Sequence, residues 1–272
     1  MVRRTVASRG SDDPSMVIPG AVRRKRRAPI LGLALSLRGI MPAFPDTHLS
    51  VVQALGGADP DVRARAAELV ARAYRAPLLS VLQWRWNLEP ADAEDLVQEF
   101  LATAFQKEWL ARFDPARGRF RTFLRVAADR FAANQRQAER RLKRGGDAAT
   151  VGLDVVTVAG SDGDAEAERR FREEWVRSVL ALAVERLETE SRERGRAVHL
   201  ALFTAYDLAE EPRPTYRELG LRHALGESQV INHLAWARRR FRAHALDVLR
   251  TLAGSEQEYR DDVQDLLGIT AP

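Results

Sequence analysis

Cysteine is absent from the 272 residues of this chain. Its absence excludes disulfide bonds, metal sites built on thiolates and a thiol nucleophile. Aromatic residues make up only 7% of the sequence. No apolar stretch is long enough for a helix that spans a membrane, and no run of alternating apolar and polar residues predicts a strand. The composition therefore fits an all-α protein of a reducing compartment, and we expect a cytoplasmic location.

The sequence also lacks the patterns typical of enzymes and metal proteins. No Gly-rich phosphate loop follows a strand, and no nucleophile elbow is present. The acidic residues between Asp92 and Glu99 have no apolar surroundings in the sequence that would divide them into a general acid and a general base. The five histidines do not have the spacing of metal ligands: His48, His199, His223, His233 and His244. We therefore expect no catalytic activity, no metal and no cofactor.

The net charge of +5 is concentrated in one segment of the chain. Residues 1–40 contain nine Lys or Arg and two Asp, so the other 232 residues together carry −2. An argument for nucleic-acid binding must therefore rest on local patches. Residues 1–43 are predicted to be a disordered basic tail. Two alternatives stay open for this segment: a signal peptide with Pro29–Leu37 as its apolar part, or translation that begins at Met41.

Helical spacing dominates from Val51 onward. Breaks at Pro and Gly predict helices over Val62–Leu82 (with an interruption at most at Pro77), Asp92–Leu110, Phe120–Arg144, Glu166–Glu190 and Arg196–Leu208. Residues 145–165 contain Gly and Asp without a helical period, and they are predicted to be a flexible linker. Leu249–Leu267 contains an acidic stretch and a short apolar helix whose role the sequence does not indicate.

The helix predicted after Pro90 separates apolar from polar side chains. At 100° per residue, one arc contains Leu96, Val97, Phe100, Leu101, Ala104 and Phe105, and the other contains Asp95, Gln98, Glu99 and Ala102. The apolar arc predicts burial against the core. The polar arc predicts either a solvated face, which is the usual case, or a docking surface for a basic partner helix.

A turn with Pro and Gly, Phe113-Asp114-Pro115-Ala116-Arg117-Gly118, leads into an aromatic helix. One arc of that helix is predicted to be core and contains Phe120, Phe123, Leu124, Ala127 and Phe131. The arginines lie mostly off this arc and can reach phosphates: Arg119, Arg121, Arg125 and Arg130, followed by the basic end with Arg136, Arg140, Arg141, Lys143 and Arg144. A solvated basic face is the alternative.

The region from Arg213 to Ala245 predicts a helix-turn-helix. Thr215 followed by Glu218 forms a capping box, and Val230, Leu234, Ala237 and Phe241 form a narrow apolar stripe. The opposite face contains Ser228, Gln229, Asn232, Trp236, Arg239 and Arg240. Seven Arg and two Glu give this region a local charge of +5. A polar, basic face opposite an apolar stripe suits a recognition helix in the major groove, although a plain helical hairpin explains the stripe equally well.

Together, in this order, these segments resemble a bacterial RNA polymerase sigma factor of the sigma-70 family, extracytoplasmic-function (ECF) type. The resemblance covers roughly residues 44–268. It implies that Asp95, Gln98 and Glu99 face core RNA polymerase. It places Phe120, Arg121, Phe123, Arg130 and Asn134 at the −10 promoter element, with Arg140 and Arg141 nearby on the basic end. The −35 element would be read by the recognition helix, through Ser228, Gln229, Asn232, Trp236, Arg239 and Arg240.

The sequence therefore predicts two helical domains joined by a flexible linker. Residues 44–144 would form the polymerase-binding and −10 domain, 145–165 the linker, 166–252 the helix-turn-helix domain, and 253–272 a C-terminal extension. The expected partners are core RNA polymerase and promoter DNA, with an anti-sigma or other regulatory protein as an open third partner and no membrane. Two other functions stay open: a DNA-binding regulator that acts without polymerase, and a helical adaptor that binds no DNA.

In the family the turn of the helix-turn-helix usually contains Gly, whereas this chain has Ala224 there and Gly226 two residues later. This turn is therefore where the chain departs from the pattern of the family.

Overall fold

The structure, a computed structural model, describes residues 50–142 and 162–269. The predicted tail and most of the predicted linker lie outside these ranges. Within them all regular elements are helical, which confirms the all-α prediction for this part of the chain. The helices are α1 (Val51–Leu55), α2 (Pro60–Trp86), α3 (Pro90–Gln106), α4 (Phe120–Leu142), α5 (Asp162–Glu193), α6 (Ala197–Tyr206), α7 (Tyr216–His223), α8 (Glu227–Leu252) and α9 (Glu256–Leu267).

Two short 3-10 helices, Leu110–Arg112 and Pro115–Arg117, connect α3 to α4. Among the described helices, none has both the length and the apolar character needed to cross a bilayer.

The longest helix before α5 contains a proline in its interior. α2 is one continuous helix from Pro60 to Trp86, so Pro77 does not interrupt it. An interior proline loses one backbone hydrogen bond and costs about 3 kcal/mol. Burial offsets this cost, because Pro77 and its neighbours Tyr74 and Leu78 all lie in the core. The side chain of Asp59 caps the start of α2 by accepting a hydrogen bond from the amide of Asp61 at 2.9 Å.

α5 begins earlier than the sequence predicted. It starts at Asp162, inside the segment assigned to the linker, and not at Glu166. Its first turns contact the rest of the protein, since Oδ1 of Asp164 lies 3.0 Å from Nη1 of Arg85 on α2. An ion pair with a distant helix stabilises this extra turn, and local composition does not reveal such a pair.

The core of the described residues is one continuous cluster. α2 packs along α5, and α5 packs in turn along α8, so α5 lies between the two segments that the sequence predicts as separate domains. Phe171 on α5 stacks near Tyr74 of α2, with ring centroids 6.2 Å apart. The predicted division into two domains is therefore not confirmed, although all of its helices are present.

Candidate nucleic-acid interface

The polar arc of α3 is exposed as a rigid surface. Asp95, Gln98 and Glu99 are exposed, whereas Val97 and Phe100 on the opposite arc are fully buried. Burial of the apolar arc fixes the rotation of α3 about its axis, because turning the helix would bring Val97 and Phe100 into water. The predicted separation of the two arcs is confirmed. Docking of a partner on the polar arc stays a prediction.

A groove of about 400 Å³ runs beside this polar arc, between α3 and α4. Its α3 wall includes the carboxylates of Asp92, Asp95 and Glu99. On the other wall Arg136 donates a hydrogen bond to the carbonyl of Trp86 at 2.7 Å and stacks over the Trp86 ring. Glu139 also lines the α4 wall, so four carboxylates and one arginine leave the groove negative on balance, and it suits a basic ligand.

The turn before α4 orients an aromatic cluster. The side chain of Asp114 accepts a hydrogen bond from the amide of Ala116 at 3.0 Å, and Gly118 has a φ of 135°, which a residue with a side chain rarely adopts. The ring of Phe113 then lies edge-on to that of Phe120 at 5.3 Å between centroids. Phe120 is fully buried and Phe123 is half-buried. The core role predicted for Phe120 is thus confirmed.

Carboxylates of α9 surround the arginines that begin α4. Nη2 of Arg119 lies 2.9 Å from Oδ2 of Asp261, and Arg121 forms a buried ion pair with Asp262. Arg121 also stacks over the ring of Trp175, with the guanidinium carbon 4.9 Å from the ring centroid. Arg121 is only 3% exposed, so it cannot meet DNA in this arrangement. Its contact with the −10 element stays a prediction that requires α9 to move.

Farther along α4 the predicted −10 residues become more accessible. Arg125 is buried and bonded to Glu168 of α5, with Nε 2.9 Å from Oε2. Arg130 and Asn134 are half-buried, and Arg140 and Arg141 are exposed. Exposure of the predicted −10 residues therefore increases from the start of α4 towards its end.

The turn between α7 and α8 has well-defined caps. The predicted capping box is confirmed: the amide of Thr215 donates to Glu218 at 2.7 Å, and the amide of Glu218 donates to the Thr215 hydroxyl at 3.2 Å. Ala224 has a φ of 54°, so it adopts the left-handed conformation that glycine enters more easily than residues with a side chain. Gly226 has an ordinary φ of −71° and precedes α8. Ala224, and not Gly226, therefore makes the turn.

A glycine that the sequence analysis missed makes this turn tight. A Cβ atom on Gly220 would lie 2.5 Å from the carbonyl oxygen of Leu225. No side chain fits there, because the opposing atom belongs to the backbone and cannot rotate away. The close approach between Gly220 and Leu225 depends on how the chain turns after α7, and no pattern in the sequence indicated it.

The two faces of α8 differ as the wheel predicted. The stripe Val230, Leu234, Ala237 and Phe241 is fully buried, which confirms it as core. On the other face Ser228, Gln229, Asn232 and Arg239 are exposed. The carbonyl oxygen of the Gln229 side chain accepts a hydrogen bond from the Gly226 amide at 2.8 Å, so this side chain also caps α8.

Two other predicted −35 residues have partners on α5 and α6. Nε of Arg240 lies 2.8 Å from Oε2 of Glu190, which also contacts His244. Trp236 is half-buried and lies edge-on to the ring of His199 at 5.0 Å between centroids. These contacts orient the α8 face, and the sequence analysis did not identify Glu190 or His199.

Three further groups have displaced pKa values: His199 beside α8, and Glu258 and Asp262 on α9. Burial, together with the charges of His233 and Arg196, lowers the pKa of His199 to about 4. Burial also raises the pKa of Glu258 and of Asp262 on α9, because the charged carboxylate is poorly solvated there. The neighbouring Arg121 opposes this effect for both carboxyl groups without overcoming it.

The sequence from within α2 to the end of α4 matches a known family model. Residues 70–142 match the family model of sigma-70 region 2. This match supports a sigma-70 family factor. Neither the curated proteins nor the solved structures gave a significant match to the chain. The sigma-70 match covers α3 and α4 with their intervening turn, and it supports binding of RNA polymerase and a role in transcription initiation.

Proposed function

We propose that this chain is an ECF-type sigma factor that binds core RNA polymerase, recognises a promoter, opens its DNA and starts transcription. One observation carries the proposal. The region 2 match at residues 70–142 contains a helix whose exposed polar arc is Asp95, Gln98 and Glu99 and whose other arc is buried. A plain DNA-binding regulator has no need of such a surface.

The polymerase would dock on α3 and its neighbouring groove. Asp95 and Glu99 project from an immobile helix, and the groove between α3 and α4 is negative on balance. Complementary charge steers a basic partner helix to this surface and fixes its orientation. The α3 face is the part of the proposal with the most direct structural support, since all three of its residues are accessible.

Promoter DNA would contact α4 and α8. For the −10 element we assign the predicted residues of α4 from Phe120 to Arg141, which combine aromatic rings for bases with arginines for phosphates. Phe120 and Arg121 are buried, so either could contact DNA only after a rearrangement. For the −35 element we assign the polar face of α8 from Ser228 to Arg240. Its exposed members lie in a region with a local charge of +5. The two DNA-contacting segments would act as the units 44–144 and 166–252 in a cytoplasmic complex.

A DNA-binding regulator without polymerase is the second candidate. The exposed side chains of Ser228, Asn232 and Arg239 on α8 favour it, because a helix of this kind can enter the major groove without any polymerase contact. Core polymerase separates the two functions, since only the sigma factor binds it.

We therefore predict that the double change Asp95→Lys and Glu99→Lys weakens binding to core RNA polymerase about tenfold, because the arc then repels a basic partner. Size-exclusion chromatography of the protein mixed with core polymerase, followed by titration of a labelled protein, measures the affinity. The matched control reverses Glu188 and Glu193, two exposed carboxylates of α5.

Circular dichroism should show both double variants folded. Equal affinity of the α3 variant and the unchanged protein would remove the docking assignment. Failure of the unchanged protein to bind polymerase, combined with binding to duplex DNA, would favour the regulator.

A further inference from the structure

The C-terminal helix α9 places its carboxylates on the arginines of two other helices. Oδ2 of Asp265 lies 3.4 Å from Nη1 of Arg119 and 3.3 Å from Nη2 of Arg172 on α5. Asp262 pairs with both Arg119 and Arg121. The three arginines thus converge on one helix, although Arg119 directly precedes α4, Arg121 lies on α4 and Arg172 lies on α5. The sequence analysis placed Arg119 within reach of phosphates but did not identify Arg172.

Besides Asp261, Asp262 and Asp265, the carboxylate of Glu258 on α9 reaches the backbone at the start of α4. Oε2 of Glu258 accepts hydrogen bonds from the amide of Phe120 at 3.0 Å and from the amide of Gly254 at 2.9 Å. Phe120 is the first residue of α4, where the backbone amides have no partner inside the helix. A carboxylate there occupies the position that a phosphate takes at the N-terminus of a helix.

The carboxylates of α9 follow the helical repeat. Glu258, Asp261, Asp262 and Asp265 recur at intervals of three and four residues, so they share one side of the helix. The helix contains five acidic residues and one arginine, which gives it a charge of −4. The row of negative groups faces guanidinium groups and an amide. The phosphates of a DNA strand form a similar row of negative groups, and proteins bind them with guanidinium groups and amides of this kind.

A role in stability alone accounts poorly for this arrangement. Glu258 and Asp262 are 4% and 2% exposed, and burial raises the pKa of both carboxyl groups. Buried ion pairs often contribute less to stability than apolar residues of the same size would, because desolvation offsets the attraction. The acidic residues of α9 therefore suit a segment that covers the three arginines and competes with a negatively charged ligand for them. We call this segment the cover.

A close contact positions this cover. Gly254, in the turn that leads into α9, lies so near the ring of Phe113 that a Cβ atom would overlap its Cε1. Phe113 belongs to the turn before α4, so the two turns meet directly. A larger residue at position 254 would push α9 away from the arginines.

We propose that Arg119, Arg121 and Arg172 form a binding surface for DNA phosphates and that α9 covers it by presenting carboxylates in their place. The inference rests on the proposed function, because it concerns access of DNA to the predicted −10 surface. DNA and α9 exclude each other on this surface. Promoter DNA therefore reaches the start of α4 only after α9 leaves, and a partner that lifts α9 activates DNA binding.

The test compares DNA affinities of the full chain and a variant with Asp261→Asn, Asp262→Asn and Asp265→Asn. The probes are a fluorescein-labelled single-stranded oligonucleotide of mixed sequence and its duplex. The amides keep the shape of the three side chains and change the charge of α9 from −4 to −1. We expect roughly tenfold tighter binding at 50 mM salt. Three more phosphate contacts should steepen the salt dependence by about two units for the single strand, or about fifteen-fold over a fourfold change in salt.

Two controls make the result specific. The variant Glu68→Gln, Glu188→Gln and Glu193→Gln changes the net charge equally at exposed positions, and its affinity should change less than twofold. Adding Arg119→Gln and Arg172→Gln to the α9 variant should abolish most of the gain. Equal gains in both charge variants would mean a general electrostatic effect and would overturn the proposal.

A second variant tests the cover without changing charge. Gly254→Ala should also tighten DNA binding, by about threefold to tenfold, because its Cβ overlaps Phe113. Gly56→Ala is the matched control, since a Cβ there meets only ordinary contacts at 3.8–4.0 Å. Hydrogen exchange should show faster exchange at the Phe120 amide in Gly254→Ala. If the triple variant does not fold, Gly254→Ala alone tests whether α9 covers the arginines.

Core polymerase binding, measured on the same variants, separates the two proposals. Variants that fold, bind polymerase and hold DNA no tighter than the unchanged protein overturn the cover and leave the sigma-factor proposal standing. An unchanged protein that does not bind polymerase overturns the sigma-factor proposal, whereas a gain in DNA affinity in both α9 variants still supports the cover.

Discussion

The start of α4 and the polar face of α8 are both predicted to bind DNA and both contain arginines, but they differ in exposure. At the start of α4, Arg121 is buried against Asp262 of α9. On α8, Arg239 and Asn232 are exposed. The number of arginines in a segment therefore does not determine how positive the electrostatic potential at its surface is. What matters is whether a carboxylate from another helix reaches them, and such partners lie far away in sequence.

The largest effect expected from this contrast concerns folding. Phe120→Ala should lower the free energy of unfolding by about 3–5 kcal/mol, because it leaves a cavity among the rings of Tyr74, Phe113 and Phe123. Asn232→Ala should change it by less than about 0.5 kcal/mol, since Asn232 is exposed. Urea denaturation followed by circular dichroism measures both. Similar losses for the two variants would erase the contrast.

A smaller loss of stability is expected when the arginines of the two segments are changed. Arg121→Gln should destabilise the fold by about 2–4 kcal/mol at pH 7, because the buried Asp262 then keeps only its longer contact with Arg119, at 3.5 Å. The loss should shrink as the pH falls, since burial already raises the pKa of Asp262 and protonation removes the uncompensated charge. Arg239→Gln on α8 serves as the control and should be nearly neutral. An Arg121→Gln loss that stays constant between pH 4 and pH 7 would contradict this account.

The two regions should also respond to pH with opposite sign. The pKa of His199, which supports α8 through Trp236, is lowered from 6.5 to about 4. The folded state therefore binds fewer protons than the unfolded chain in this window, and the stability that His199 contributes above pH 6.5 is lost as the pH falls towards 4. Glu258 has a raised pKa, because burial disfavours its charged form. The destabilisation that this charge causes near neutral pH is therefore relieved as the pH falls.

Denaturant titrations at several pH values measure the His199 effect. Between pH 7 and pH 4.5 the unchanged protein should lose about 1–3 kcal/mol more than His199→Gln. Parallel pH curves for the two proteins would show that His199 protonates freely in the folded state.

The smallest expected effect is a gain. Ala224 adopts a left-handed conformation that costs an L-residue about 1–2 kcal/mol, and glycine avoids this cost while it loses more backbone entropy on folding. Ala224→Gly should therefore stabilise the protein by about 0.5–1 kcal/mol. The change lies in the turn before α8, so thermal unfolding should shift while the exposed face of α8 keeps its conformation. A loss of stability would show that Ala224 has a packing role.

Local patterns predicted the helices and their faces well. The arcs of α3, the stripe from Val230 to Phe241 and the Thr215 capping box all depend on residues within a few turns of one another, and periodicity captures them. Pro77 and the start of α5 were harder, because burial and a distant ion pair outweigh the local signal there.

The cover on α4 could not be predicted from the sequence. Its acidic residues were visible, but their partners are set by the packing of α9 against the turn before α4. Gly254 and Phe113 meet only because the chain folds back over a long separation. A helical wheel describes one helix at a time, so it cannot show which helix neutralises another.

The chain order of the cover has a consequence for synthesis. Arg121 and Asp262 are 141 residues apart, and ribosomes add about 5–20 residues per second. Roughly 7–28 seconds therefore pass between the appearance of the arginine and that of its carboxylate partner. During this interval Arg121 of the growing chain has no α9 carboxylate to pair with, so α9 can neutralise this arginine only late in the synthesis of the described residues.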